Sequence, residues 1–368
     1  MKTSFISSLA MQNSMRSTIL KAQLEMTDLT TELTTGKHAD LGVALGANTA
    51  RSLDLNRDVQ RLTSIIGVNS IATQRLEASQ LALKNMSEAA NEIQKVLVPN
   101  TSAEEPTLST VRNTITNAFN NFIGFANTSV NGEFLFSGIN TDVKPVDDYF
   151  ADDSKLKQAY DDELNYYMTN MVSPAVGDAS QLTKEQVATF MSDMEKKFNG
   201  ETKVTNPPHS TLTAGTDYDF WTAFGSDSSD VNMTSRISQT EVVETSTNAN
   251  SKGMRYFAFT AMTTMTFLQD NIAPEIREQV SMGAVNNIKS AIDGLNQQAS
   301  KLGLSEERVS KANDALSAQK KIIETHLIDL EGIDTYEAKT RLDLLKSQIE
   351  IAYSLTARLQ QMSLVNYL

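Results

Sequence analysis

The sequence predicts a mainly α fold: a long antiparallel, coiled-coil-like helical bundle built from the N- and C-terminal segments, with a smaller inserted domain of mixed α/β or β-rich character. Three observations predict it. Apolar residues recur in steps of three and four over long stretches at both ends of the 368-residue chain, the spacing of a helix with one packed seam. The middle of the chain loses that period and gathers prolines, aromatics and acids. Hydrophobic residues make up 40% of the whole, which is enough for a packed core.

Taken in order, Met15, Ile19, Ala22, Met26, Leu29 and Leu33 form the first seam. Gly36, Gly42 and Gly46 break it, and Asn48 or Thr49 is placed to cap the next helix. That helix carries Leu62, Ile65, Asn69, Ala72, Leu76, Ser79, Leu83, Met86, Ala90, Ile93 and Leu97 in unbroken 3–4 spacing, a rod of roughly 50 Å at 1.5 Å per residue. Asn69 in an apolar seam is either a register-fixing residue or a water-bridged one. Pro99 and Pro106 bracket a loop, and Leu108, Val111, Ile115, Ala118, Phe122 and Phe125 mark a third helix.

The C-terminal side mirrors this. Leu302-Gly303-Leu304-Ser305 predicts a turn, with Glu306 and Glu307 in the first turn of the following helix, where the dipole favours acids. Val309, Ala312, Leu316, Ile323 and Leu330 continue one seam; Leu342, Leu345, Ile349, Ala352 and Leu359 form another; Gly332 between them is a break or hinge. Long seams at both ends are suited to pairing with each other or with neighbouring molecules.

Residues 141–250 differ. They hold 19 acidic and 8 basic residues, most of the chain's net charge of -13, and 11 of its 24 aromatics. Pro145, Pro174 and Asn206-Pro207-Pro208 interrupt long helices. This reads as an inserted, solvent-facing domain with its own small core. The resulting division is 1–47 and 333–368 for a terminal helical domain, 48–140 and 251–332 for the bundle, and 141–250 for the insert.

No catalytic constellation, metal site or cofactor site is predicted. There is no cysteine, and His38, His209 and His326 are scattered, without the paired spacing that suits zinc. No phosphate-cradling glycine loop or nucleophile elbow occurs. Ser154-x-x-Lys157 fits a Ser–Lys pairing only on paper, and Asp217-x-Asp219 starts like a calcium loop but places Trp221 at the third ligand position. An acidic chain of sequence pI near 4.8 is unsuited to nucleic acid or an anionic membrane surface. Nor does it contain the ~18-residue apolar run of a membrane span or a signal-peptide core at Met1–Ala10.

The two ends resemble the terminal regions of the flagellin family. Leu24 to Lys37, closing on Leu33-Thr34-Thr35-Gly36-Lys37, is similar to the family's first helix and its Gly-Lys turn. Leu295 to Val309, around Leu302-Gly303 and Arg308-Val309, resembles the turn between the two C-terminal helices, and Asp334-Thr335-Tyr336-Glu337-Ala338 the acidic entry to the last. The final run from Ile351 to Leu368, and Glu133-Phe134-Leu135-Phe136-Ser137-Gly138, resemble the hook–filament junction members rather than filament flagellins.

The resemblance implies a non-enzymatic structural subunit of the extracellular bacterial flagellum, an adaptor between hook and filament. It is then exported through the flagellar apparatus without a cleaved signal peptide. Implied partners are copies of itself, the preceding hook-associated protein, flagellin, and an export chaperone at the C-terminal segment. Met15, Ile19, Met26, Leu29, Leu33, Leu342, Leu345, Ile349 and Leu359 are the expected assembly interface, and Leu62, Ile65, Leu76, Leu83, Met86 and Ile93 the bundle seam. Residues 1–45 and 334–368 are expected to order on assembly, when neighbours bury the seams. Two other readings are a filament-forming flagellin and a secreted helical stalk carrying an acidic ligand-binding domain.

Overall fold

Residues 8–98 and 107–365 are described in the computed structural model, without the side chains of Ser8, Leu9, Gln12 and 359–365. The loop expected between Pro99 and Pro106 lies outside these residues. Ten helices dominate the described chain: α1 (Ser8–Thr35), α2 (Leu41–Leu45), α3 (Thr49–Leu97), α4 (Leu108–Ala126), α5 (Lys155–Tyr166), α6 (Lys184–Phe198), α7 (Phe220–Phe224), α8 (Lys252–Phe267), α9 (Pro274–Glu331) and α10 (Thr335–Val365). The strands β1 (Ser129–Val130), β2 (Glu133–Phe134), β3 (Thr234–Arg236) and β4 (Val242–Glu244) form two antiparallel hairpins. The fold is mainly α, with long packed helices as the seams predict.

The chain divides into two compact units. One holds residues up to Ser64 together with Ala315 onward; the other is Ile65–Asp314.

In the first unit, α1 and α10 pack together. Lys37 bridges Gly332 in antiparallel pairing, while Thr356 approaches Met15, so the two helices run in opposite directions. Local chemistry sets their ends. Gly36 adopts φ +72 and its N–H closes onto the Glu32 carbonyl at 2.7 Å, the left-handed cap that a side chain disfavours. Asp40 caps α2 by accepting from the Val43 N–H, and Asp334 caps α10 by accepting from the Tyr336 and Glu337 N–H groups.

The second unit has one continuous hydrophobic core. Every α3 seam position from Asn69 to Leu97 named above is buried, and Ile65 is half-buried. Leu62, in the first unit, is also fully buried. At the centre lies α8, a helix buried on nearly every side, whose buried Thr260 and Thr264 hydroxyls donate to main-chain carbonyls one turn back. Phe257 on α8 stacks on Phe122 of α4 with centroids 4.1 Å apart.

Three expectations need correction. The 141–250 segment has no core of its own: Tyr149 packs on Phe119, Phe198 on Phe259 and Phe190 on Phe267. Short helices with one apolar face each cannot enclose a core, and here they use α4 and α8 to do so. Of the two characters expected for the segment, the β-rich one gives way to the mixed one, with α5, α6 and α7 beside a hairpin of three-residue strands. Finally, Leu302-Gly303-Leu304-Ser305 is not a turn. It lies inside the unbroken helix α9, where buried Leu302 and Ser305 keep the helical period across the glycine. Packing outweighs the ~1 kcal/mol propensity cost of one glycine.

Asn69 takes the register-fixing role. Its buried amide donates to the Ile237 carbonyl at 2.9 Å and to Asn313 Oδ1 at 2.8 Å, tying α3 to a loop and to α9 at one alignment. Asn69→Ala strands both acceptors and should cost about 1–3 kcal/mol, read as a lower urea midpoint at unchanged slope. A loss under about 0.5 kcal/mol, the range of an ordinary surface change, contradicts that role.

Candidate functional site

The seams of α1 and α10 face each other within the chain. Met15, Ile19, Ala22, Met26 and Leu33 are half-buried, as are Leu342, Leu345, Ile349 and Ala352; Leu29 is buried. The side chain of Leu359 lies outside the described residues. Gln23 Nε2 donates to the Tyr353 hydroxyl at 2.9 Å across the pair. A two-helix contact can bury only one stripe on each partner, so intermediate burial is the ceiling for most of these positions.

A second set of apolar side chains was not legible as a seam. Leu20, Leu24, Leu344, Ile351 and Leu355 are exposed on the same two helices, Leu24 at 68% and Ile351 at 65%. Helices that each meet one partner, yet carry apolar residues outside the contact, have unspent hydrophobic surface. The signal was present in the 20/24 and 344/351/355 spacing, but a single-stripe reading absorbs only one row.

The hinge at the base of the pair is polar and buried. The Glu331 side chain is fully enclosed at the end of α9. Its carboxylate accepts from Lys37 Nζ at 2.7 Å, from Asn56 Nδ2 at 2.8 Å and from the Ser52 hydroxyl. Burial by itself raises this carboxyl's pKa. The hydrogen bonds from Lys37, Ser52 and Asn56 outweigh burial and hold it below the usual glutamate value. Main-chain bonds from His38 N–H to the Glu331 carbonyl and from Ile333 N–H to the Gly36 carbonyl close the hinge. The glycines at 36 and 332 marked these breaks in the sequence; the ionic link between them did not show.

The positions weighed for chemistry have structural uses. The Ser154 hydroxyl caps α5 by accepting from the Lys157 N–H, so the Ser–Lys spacing is a helix start. Asp219 caps α7 and pairs with Arg255 at 2.9 Å. His209 is buried, its Nε2 2.9 Å from Glu163, whose other oxygen meets Lys197. Burial raises the Glu163 pKa, but the bonds from His209 and Lys197 prevail and hold it low. This cluster pins the proline-rich 206–208 stretch onto α5 and α6. Among the described residues no group of three or more acids and histidines could hold a metal ion, and no helix is long and apolar enough to cross a membrane.

Comparison with known proteins supplies the context. The bacterial flagellin N-terminal helical region matches residues 6–141, and the bacterial flagellin C-terminal helical region matches 285–368. Together they span more than half of the chain. Among solved structures, one described as a putative flagellar hook-associated protein from Vibrio parahaemolyticus is similar at 10% identity and a TM-score of 0.49. The match covers 77% of this chain and 97% of that one. No curated protein sequence matches.

Proposed function

Since the chain belongs to the bacterial flagellin family, and so is a non-enzymatic, self-associating component of the extracellular flagellum, we propose that it is the adaptor subunit of the hook–filament junction. The observation that carries an assembly role is the paired α1/α10 rod with its exposed second apolar row. The choice of junction over filament rests on the Ile351–Leu368 run and the β1/β2 exit from α4, which resemble junction members of the family. One surface then meets the preceding hook-associated protein and another meets flagellin. An export chaperone shields the C-terminal segment before passage through the flagellar apparatus, with no cleaved signal peptide. The residues of 1–47 and 333–368 form the assembly domain, and their order grows as neighbours cover them.

In a strain lacking this chain, hooks should form while flagellin is shed unpolymerised into the medium. Full filaments in that strain rule the adaptor out. Purified protein should not form long filaments alone; if it does, the filament-flagellin reading replaces this one. Because residues 141–250 share the bundle core, surface changes rather than deletion separate the stalk-and-ligand reading. Asp152→Asn, Asp153→Asn and Glu201→Gln, all at exposed positions, should leave motility intact, whereas that reading requires function to be lost with the acidic surface.

The exposed row gives a sharper check. Leu24→Asp and Ile351→Asp touch solvent-facing positions, so the isolated chain should keep its stability within about 0.5 kcal/mol. Incorporation into flagella, read by motility and immunogold labelling, should fall at least tenfold. Normal motility in both variants contradicts the assignment of this row to assembly.

A further inference from the structure

A groove between the β3–β4 hairpin and α9 has a volume of about 490 Å³. It lies within the Ile65–Asp314 unit.

One wall is an open strand edge. β3 and β4 pair with Ser235 opposite Val243, and the flanking main-chain bonds run from Thr245 N–H to the Met233 carbonyl and from Ile237 N–H to the Glu241 carbonyl. Main-chain groups alternate sides along an antiparallel strand. Those of Val242 and Glu244 therefore point away from β3, along the groove, and have no partner among the described residues. Such an edge is a template for another strand.

The opposite wall is one face of α9. Gln298, more than nine-tenths buried, donates to Thr247 and to the Asn248 carbonyl, while its Oε1 has no partner. The buried Ser251 hydroxyl beside it is also unpartnered. Buried polar atoms of this kind are normally satisfied. Farther along stand Lys301 and Arg308; of the two only Arg308 has a carboxylate neighbour among the described residues, Glu241 at 2.8 Å from Nε. Exposed Leu304 and Val242 edge the groove.

An extended peptide answers all of these demands together. It offers main-chain donors and acceptors on both edges and side chains that alternate between faces. We propose that this groove binds an extended strand of a partner protein by β-addition to β4, with an acidic side chain directed at Lys301 and Arg308. The strand's outer N–H groups supply the donors that Gln298 Oε1 lacks. Its main chain pairs with Val242 and Glu244.

The test uses the full chain and two capped six-residue peptides, one alternating valine with glutamate and one alternating valine with lysine. The glutamate peptide should bind at least tenfold more tightly by fluorescence anisotropy, and should slow amide exchange at Val242 and Glu244. Val242→Pro removes an outward donor at an edge position where proline is tolerated, and should weaken binding about tenfold. Lys301→Glu breaks no ion pair among the described residues and leaves the Arg308–Glu241 contact beside the strand in place, and should remove the preference for the glutamate peptide. Equal affinity for both peptides, unchanged exchange at the two amides, or no binding of either peptide overturns the proposal.

Discussion

Gly294→Ala is expected to destabilise the Ile65–Asp314 unit by about 3 kcal/mol, the upper part of the range for overpacked cores. A Cβ on Gly294 falls 2.6 Å from the Gly253 Cα, and one on Gly253 falls 2.6 Å from the Leu295 nitrogen. Both obstacles are backbone, so no rotamer change relieves them, and α8 and α9 must separate. Separation opens the core around α8, the helix against which Phe122, Phe190 and Phe198 pack. The gain in helix propensity from glycine to alanine, about 1 kcal/mol, acts in the other direction and is too small to win. Gly303→Ala supplies the control within α9. Its added Cβ meets only Gln80 Oε1 at 3.5 Å, an ordinary contact, so propensity should prevail and stability should rise by about 0.5–1 kcal/mol. Chemical denaturation of both variants decides the matter: two changes of the same sign leave the close crossing without an energetic role.

Glu331→Ala is expected to cost the terminal unit about 1–3 kcal/mol, the consequence of leaving buried donors without their acceptor, since the Lys37 cation is half exposed and water can take the place of its partner. The Ser52 hydroxyl and the Asn56 amide lose their acceptor, and Lys37 loses its counter-ion. Faster amide exchange throughout α1 and α10, with the Ile65–Asp314 unit unchanged, is the signature. The carboxyl also gives this unit a pH dependence. Its folded pKa lies below the unfolded value, which is about 4.3 for glutamate. The stabilisation is therefore complete above that value and is lost as pH falls through the lower folded one. Glu331→Gln should remove this acid-side loss. A variant that keeps the full acid sensitivity of the parent would assign it to other carboxylates.

Parts of this structure were readable in advance because the forces behind them are local. The α3 seam from Asn69 to Leu97 lies on one buried face because 3–4 spacing places those side chains on one side of any helix. The ends of α1 and α10 were marked by Gly36 and by Asp334, residues whose capping chemistry involves neighbours within a few positions. The Ser154-x-x-Lys157 and Asp217-x-Asp219 patterns failed as chemistry for the same reason: each contains a helix N-cap, a local device with a similar sequence appearance. The exposed row at Leu20, Leu24, Leu344 and Ile351 was present in the spacing, but which of two apolar stripes turns inward depends on the partner helix.

By itself, then, the sequence determined that this is a long-helix protein, where the seams run, and where α3, α4 and α10 begin. Tertiary structure alone decided that the aromatics of 141–250 join the bundle core, that α9 passes unbroken through Gly303, that Glu331 ties the hinge, and that α8 crosses α9 at Gly253 and Gly294. The physical reason is range. Helical period and capping are set by residues within a turn or two of each other. Shared cores, backbone-to-backbone crossings and buried ion pairs join positions far apart in the chain, and no periodicity along one strand of sequence records which distant partner will meet them.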